Sequence, residues 1–210
     1  MIRRTIGTTL ALSLSLLLAA GCGNTPTASN ATNAPVKTGV MPVADPEIAV
    51  VEMENDGAYG TIKIELYSNI APKMVERFKE LAREGVYDGT TFHRVNDSVI
   101  QGGDPNSKDD DPKNDGQGAS QKPDVPAEFS DIEYNSGIVG AARGPDVNSA
   151  NSQFFITLKR ESAFDRRYTI FGKVIEGMNN ARIISGVQPK DFERPVESVR
   201  IKTIRIEPRQ

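Results

Sequence analysis

Alternating apolar and polar residues are the feature that most constrains how this chain can fold. In the run TIKIELY (61–67), apolar residues occupy every second position, so one face of a strand is buried while the other contacts water. A similar run, IAVVEME (48–54), precedes it, and the turn-rich NDGAYG (55–60) separates the two. The pattern predicts two consecutive strands at the start of the folded domain.

The remainder of the chain contains more short strands and only two helices. Helical spacing follows Pro72 and stops at Gly85, and a second short helix is predicted at 178–184. In the last run the apolar residues change parity between Ile201 and Ile204, which predicts a β-bulge near Thr203. We therefore expect a mainly β domain, either a barrel or a sandwich. The other predicted strands are 92–95, 98–101, 138–142, 153–158 and 170–174.

The N-terminal residues have the composition of an export signal and a tether. Two arginines precede an apolar stretch at about 10–20, which ends in LLLAAGC with Cys22 as its last residue. This ending resembles the lipobox of bacterial lipoproteins, in which the cysteine is lipidated; an ordinary signal peptide is the alternative. We expect a lipoprotein signal peptide at 1–21, a lipidated Cys22 with a flexible tether at 22–47, and the folded domain at 48–208.

Charge, cysteine content and loop composition argue against a nucleic-acid partner, a disulfide within the chain and a calcium site. The 210 residues carry a formal net charge of −3, which argues against nucleic acid as a partner. Cys22 is the only cysteine, so no disulfide can form within the chain. The acidic stretch at 105–127 contains DPKNDG (111–116), but Lys113 stands where a calcium ligand would be needed. We expect a solvated surface loop there, and neither a metal nor another cofactor.

Four motifs together resemble one protein family. They are YDGTTFHRV (87–95), IQGGDP (100–105), NSANSQFFITL (148–158) and YTIFGKVIEGM (168–178), in that order. Over about residues 48–207 the chain is similar to the cyclophilin family of peptidyl-prolyl cis–trans isomerases. The resemblance implies a closed eight-stranded antiparallel barrel capped by two α-helices. It also implies an enzyme that accelerates rotation about X–Pro bonds without a cofactor.

The reaction explains which residue types matter. Rotation about an X–Pro bond has a barrier of roughly 18–20 kcal/mol, because the twisted amide loses its resonance. A catalyst therefore needs an apolar pocket for the proline ring and a donor that binds the twisted amide better than the planar one. Arginine suits the donor role because it stays charged and presents a rigid fork of N–H groups.

The resemblance assigns roles to two groups of residues. Arg94 matches the catalytic arginine of the family, and Gln101 matches the glutamine that anchors the substrate backbone. Phe155 matches the floor of the proline pocket. A surface ion pair is the alternative for Arg94, and a place in the core is the alternative for Phe155. His93 should point away from Arg94, so we expect it to be structural. The expected substrate-binding residues are Ser98, Val99, Gly116, Gln117, Ala142, Arg143, Gln153, Phe164 and Tyr168.

One departure from the family pattern affects the proline pocket. The segment between Arg94 and Gln101 is one residue shorter than usual, and Ser98 and Val99 stand where phenylalanine and methionine normally complete the pocket. Loss of a phenylalanine wall removes about 1.5–3 kcal/mol of apolar contact. A re-registered strand, with a neighbour such as Phe164 filling the gap, would restore it.

A second departure lies at 161–168, ESAFDRRY. Ala163 stands where some family members have a tryptophan important for binding cyclosporin, so we expect weak cyclosporin binding. Arg166 replaces the usual glycine of the same turn.

These observations lead to two functional hypotheses. The first is an extracytoplasmic isomerase, anchored in the cell membrane or outer membrane, that acts on X–Pro bonds of exported proteins and assists their folding. The second is a tethered, non-enzymatic module that holds proline-containing or unfolded segments. Catalytic turnover distinguishes the two. In both cases we expect a monomer whose partners are proline-containing polypeptides and a membrane.

Overall fold

An antiparallel sheet of eight strands dominates the computed structural model, which describes residues 34–109, 111–187 and 193–210. The strands are β1 (Val36–Lys37), β2 (Glu47–Met53), β3 (Thr61–Leu66), β4 (Arg94–Val95), β5 (Val99–Gly102), β6 (Phe129–Ser130), β7 (Ile138–Ala141), β8 (Phe154–Thr157), β9 (Ile170–Glu176) and β10 (Ile201–Pro208). The α-helices are α1 (Asp56–Tyr59), α2 (Pro72–Arg83) and α3 (Met178–Ser185), with 3₁₀ turns at Pro105–Lys108 and Ser162–Phe164. The large sheet has the order β10-β2-β3-β9-β7-β8-β5-β4, and β1 pairs with β6 separately.

The predicted fold class is confirmed, with one correction to the barrel. Within the described residues, the edge strands β4 and β10 form no continuous ladder with each other. The chain just before each strand meets instead in a single bridge between Thr91 and Arg200. The amide of Phe92 donates to the carbonyl of Val199 at 2.9 Å beside this bridge. The sheet is thus curled but not closed, because a β4 of two residues is too short to carry a ladder.

Local patterns correctly predicted the main elements. Helix α2 begins at Pro72 and buries the apolar face that the spacing indicated, including Val75 and Phe78. The register of β10 against β2 shifts between Ile201 and Thr203, which confirms the predicted bulge. The single turn of α1 was not predicted, since its residues read as a turn between two strands.

Two hydrophobic clusters lie on opposite sides of the sheet. The larger one includes α2, where the ring of Phe78 lies 5.1 Å from that of Phe171 and 5.5 Å from that of Phe154. The smaller one consists of Tyr67, Ile70, Val99, Tyr134, Ile138, Phe155 and Ile170. Adjacent residues of a strand point to opposite faces, so Phe154 belongs to the first cluster and Phe155 to the second. The second cluster supports the candidate site.

Residues 34–47 lie against the domain, although the sequence assigns them to a flexible tether. Strand β1 pairs with β6, and the Lys37 ammonium donates to the carbonyl of Ile70 at 2.7 Å. Asp45 forms a nearly buried ion pair with Lys79 of α2 and accepts a hydrogen bond from the hydroxyl of Ser68. The folded body therefore begins before residue 48, because polar contacts hold a segment that lacks an apolar pattern.

The predicted signal peptide, the lipidation at Cys22 and the first part of the tether lie outside the described residues. They stay predictions. Among the helices of the described ranges, none has the length and apolar character needed to cross a bilayer.

Candidate active site

The three residues expected to be catalytic lie in one row across adjacent strands. Arg94 of β4 is paired with Gln101 of β5, which is paired with Phe155 of β8. On the far side of Phe155 the row continues to Gly140 of β7. Residues directly opposite each other in an antiparallel ladder project from the same face. The register of the sheet thus brings together residues that are up to 61 positions apart in the chain.

Hydrogen bonds connect this row to the neighbouring loop. Nη1 of Arg94 donates to Oε1 of Gln101 at 3.4 Å, and Nε2 of Gln101 donates to Oε1 of Gln153 at 3.0 Å. Nε2 of Gln153 donates to the carbonyls of Gly116 and Gly118, at 3.1 Å and 2.9 Å. In this series of hydrogen bonds, the side-chain amides of Gln101 and Gln153 each accept a hydrogen bond at the oxygen and donate one from the nitrogen. Both glutamine side chains are therefore held in a single orientation.

A pocket of about 160 Å³ opens above Phe155. The ring of Phe155 forms its floor, and the rings of Phe164 and Tyr168 meet it edge-on at 5.4 Å and 5.7 Å between centroids. Three aromatic rings and the side chains of two arginines are thus arranged around a space of the size of a small ring. The lining residues are Arg94, Val99, Gln101, Ala142, Arg143, Phe155, Phe164 and Tyr168.

Gly140 allows the floor of the pocket to form. A Cβ atom built at Gly140 would meet the ring of Phe155 and the hydroxyl of Tyr134 far inside van der Waals contact. The ring of Tyr134 lies beneath Phe155, stacked at 5.7 Å with an interplanar angle of 25°. Because no side chain projects from Gly140, the Phe155 ring can lie across β7 instead of pointing into solvent.

A second pocket, of about 410 Å³, adjoins the first. It shares Gln101, Ala142 and Arg143 with the first pocket, so the two are parts of one groove. Gly116, Gln117 and Gln153 are among its other lining residues. We expected the loop at 105–127 to be a solvated surface loop, and it is largely exposed. It also forms one wall of the groove.

A buried aspartate holds that wall in place. Asp104 is fully buried, and its side chain accepts hydrogen bonds from the amides of Asn106 at 2.8 Å and Gly118 at 3.2 Å. Within the described residues, no group of three histidine, cysteine, aspartate or glutamate side chains is arranged to hold a metal ion. Two aspartates of the adjoining loop, Asp109 and Asp111, likewise accept hydrogen bonds from backbone amides, those of Asp111 and Lys113.

Comparison with known proteins identifies the family. The sequence model of the family described as "Cyclophilin type peptidyl-prolyl cis-trans isomerase/CLD" matches residues 50–206. The chain belongs to the cyclophilin-type peptidyl-prolyl cis–trans isomerases. It is therefore an isomerase of the peptide bond before proline, as the motifs predicted.

Relatives and solved structures agree with this assignment. The cyclophilin is 43% identical to a probable peptidyl-prolyl cis–trans isomerase of Brucella suis over 141 residues, which are 65% of this chain and 70% of the relative. It is 39% identical to the isomerase ppi1 of Schizosaccharomyces pombe over 163 residues, covering 73% and 96% of the two chains. A crystal structure of a cyclophilin-type isomerase from Cryptosporidium parvum, obtained in the presence of the dipeptide Ala-Pro, superposes with a TM-score of 0.68 at 27% identity. That superposition covers 77% of this chain and 99% of the other.

The shortened segment of this cyclophilin forms a tight turn between β4 and β5. The side-chain oxygen of Asn96 accepts hydrogen bonds from the amides of Ser98 and Val99, both at 2.8 Å. Val99 keeps its place in the ladder opposite Thr157 and lines the pocket. Ser98 lies in the turn and, among the described residues, lines neither pocket. The tight turn accommodates the one-residue deletion without displacing Val99 from the ladder. The aromatic wall of the pocket comes from Phe164.

His93 lies on the opposite face of the strand from Arg94, as expected. Its side chain is only 6% exposed, and burial lowers the pKa of the imidazole to about 4. A neutral, buried imidazole packs beneath Gly116, whose added Cβ would lie 3.5 Å from the ring. The arrangement is that of a packing residue that supports the groove from below.

Arg94 also forms the ion pair that was the alternative to a catalytic role. Its Nε donates to Oε2 of Glu193 at 2.6 Å. The sequence analysis did not identify Glu193, because 99 positions separate the two residues and no local pattern relates them. The ion pair is therefore present, and the same side chain lines the pocket. The catalytic role of Arg94 stays a prediction.

Proposed function

We propose that this isomerase acts on X–Pro bonds of exported polypeptides while a lipid on Cys22 anchors it to a membrane. The row formed by Arg94, Gln101 and Phe155 carries the catalytic part of the proposal, since it combines an apolar floor with oriented donors. The lipobox-like LLLAAGC supports the anchor. Rotation of proline bonds in newly exported chains would assist their folding, because this isomerisation is slow enough to limit folding rates.

In this proposal, the proline ring enters the pocket and lies on Phe155, with Val99 and Phe164 beside it. The relative from Cryptosporidium parvum was crystallised in the presence of Ala-Pro, which supports a proline-containing ligand for this groove as well. Gln101 donates to or accepts from the substrate backbone, and the second pocket receives the residues that precede the proline. These contacts hold the residues on both sides of the X–Pro bond while the bond rotates.

The guanidinium of Arg94 then acts on the twisted amide. As the C–N bond rotates, resonance is lost and the nitrogen gains a lone pair that can accept a hydrogen bond. A donor fixed beside that nitrogen binds the twisted state better than the planar one and so lowers the barrier. The reaction forms no covalent intermediate, and an arginine performs the role at any physiological pH.

An isomerisation assay with a short X–Pro peptide tests the catalytic part. We expect Arg94→Ala to lower kcat/KM about 100-fold or more, as for loss of one preorganised donor. Arg205→Ala is the matched control, because Arg205 is a similarly exposed strand arginine that pairs with Glu52 and Glu207 on the far edge of the sheet. Wild-type protein that binds such peptides without accelerating isomerisation would instead favour the tethered binding module.

The anchor is tested separately with Cys22→Ser. We expect the wild-type chain to incorporate labelled palmitate and to sediment with membranes, and the variant to do neither. If the variant also remains with membranes, the lipid is not the anchor.

We also propose that the protein is a monomer with weak affinity for cyclosporin. Ala163 is exposed and offers no ring at the position where a tryptophan is expected to contact the drug. Ala163→Trp should therefore tighten cyclosporin binding by at least tenfold in a titration, and sedimentation should give a single monomeric species.

A further inference from the structure

The guanidinium of Arg94 is held by two partners at different nitrogens. Glu193 accepts from Nε at 2.6 Å, and Gln101 accepts from Nη1 at 3.4 Å. Among the hydrogen bonds of the described residues, those of Arg94 involve these two nitrogens, which leaves Nη2 to act as a donor. These two hydrogen bonds and the covalent bond from Cδ fix three points of the planar guanidinium, so the direction of the third nitrogen is determined as well.

The ion pair matters more for orientation than for stability. The side chains of Arg94 and Glu193 are 41% and 44% exposed. Exposed pairs of this kind contribute little to the free energy of folding, because solvent screens the charges. The side chain of Asn96 together with Arg94 lowers the pKa of the Glu193 carboxyl, so the group is ionised at neutral pH. A charged, correctly placed carboxylate is thus present wherever the enzyme works.

Glu193 is itself held in an unusual backbone conformation. Its φ of 62° lies in the left-handed region, which is uncommon for residues other than glycine. The next residue, Arg194, forms an ion pair with Asp115 at 3.4 Å, beside the turn that contains Gly116. Further along, the carbonyl of Val199 accepts from the amide of Phe92, two residues before Arg94. A strained residue that its surroundings hold in place often has a functional role.

Building on the function proposed above, we propose that Glu193 is a positioning residue for the isomerase reaction. Its carboxylate orients the Arg94 guanidinium towards the amide nitrogen of the substrate. The Arg94 side chain is then already ordered before the reaction, so it loses less conformational entropy in the transition state. Glu193 does not touch the substrate. It acts only through Arg94.

Kinetics of the full-length chain with an X–Pro peptide test this role. We expect Glu193→Gln to lower kcat about tenfold while KM changes less than twofold, since misorientation affects the transition state more than binding. Glu193→Asp, which keeps the charge, should recover part of the loss. The control is Glu197→Gln, an exposed glutamate on the same segment, which should behave as wild type.

A spectroscopic measurement separates positioning from a merely structural effect. In wild type and in Glu197→Gln, the ¹⁵N signal of the Arg94 Nε–H group should be shifted and slow to exchange with water. In Glu193→Gln that signal should move to the position of a free arginine, while the melting temperature stays within about 2 °C of wild type, as expected for loss of an exposed ion pair.

A double variant distinguishes failure of this inference from failure of the proposed function. If Glu193 acts through Arg94, adding Glu193→Gln to Arg94→Ala should cause no further loss. Wild-type or increased kcat in Glu193→Gln, or an additive loss in the double variant, would overturn the positioning role and leave the function of Arg94 intact. Wild-type activity in Arg94→Ala alone would overturn the catalytic role proposed for Arg94, and with it the positioning role of Glu193.

Discussion

The ring of Phe164 meets the ring of Phe155 edge-on, with 5.4 Å between the centroids and 70° between the planes. Phe164 lies at the end of a 3₁₀ turn, on a segment far from β5 in sequence. It provides an aromatic wall to the pocket at the place where the shortened segment around Ser98 has none. The sequence left open whether Phe164 fills the gap beside Ser98, and in the structure its ring lines the pocket.

The first prediction concerns this wall. We expect Phe164→Ala to lower kcat/KM about tenfold, the lower end of the range for losing an aromatic contact, because the ring is only half-buried. Phe164→Leu should retain most of the activity, since it keeps much of the apolar surface. The isomerisation assay measures both, and wild-type activity in Phe164→Ala would show that Val99 and Tyr168 suffice.

The second prediction is a pH dependence of stability that comes from His93. Burial lowers the pKa of this residue to about 4, whereas an exposed histidine has a pKa of about 6.5. Between these values the unfolded chain binds the proton and the folded chain does not. Stability is therefore complete above about pH 6.5 and falls as the pH decreases towards 4, by up to about 1.4 kcal/mol per pH unit.

Denaturant titrations between pH 4 and pH 7 test this dependence. His93→Gln cannot take up the proton, so its free energy of unfolding should fall less steeply than that of wild type over the same interval. Carboxylates titrate equally in both proteins and cancel in the comparison. Parallel curves for the two proteins would mean that His93 binds its proton equally in the folded and unfolded states, so that its pKa is not lowered by folding.

The third prediction concerns the segment that precedes β2. Asp45 accepts from Lys79 and Ser68 at a site where the two charged side chains are only 10% and 13% exposed. We expect Asp45→Asn to lower the free energy of unfolding by about 1–3 kcal/mol, because it leaves buried donors poorly satisfied. Catalysis should be unchanged, since this contact is on α2 and not in the groove.

The control for that variant is Asp97→Asn, which breaks the exposed pair between Asp97 and Lys159. Its effect on chemical denaturation should be much smaller, as is usual for surface ion pairs. Equal effects of the two variants would show that the Asp45 contact does not anchor residues 34–47.

The fourth prediction concerns Arg166, whose φ of 59° lies in the left-handed region. Glycine adopts this conformation without the clash of a Cβ atom, so Arg166→Gly should raise the free energy of unfolding by about 0.5–1 kcal/mol. Arg167→Gly is the control, because Arg167 has no positive φ and should gain nothing. A melting curve distinguishes them, and a lower melting temperature for Arg166→Gly would show that the arginine side chain stabilises the turn.

The features that local patterns predicted are those that depend on neighbouring residues. Strand alternation indicated β3, helical spacing indicated α2 after Pro72, and a change of parity indicated the bulge at Thr203. Each follows from periods of two or 3.6 residues, which the chain carries in any window of about ten residues. The family motifs also identified Arg94, Gln101 and Phe155 as members of one site, and the register places them in one row.

The features that escaped prediction depend on contacts between distant segments. The sequence around residues 34–47 has no apolar period, and its place on the domain comes from polar contacts such as that of Asp45 with Lys79. The curled sheet without a continuous closing ladder depends on the length of β4, which the turn at Asn96 limits.

By itself, the sequence determined the fold class, the main elements and the residues that line the pocket above Phe155, because short-range periodicity and ordered motifs encode them. Only the tertiary structure decided that Phe164 replaces the missing wall, that Gly140 makes room for the Phe155 ring, and that Glu193 holds Arg94. These contacts join residues from separate strands and turns, and the pairing register of the sheet, not any local pattern, sets which of them meet.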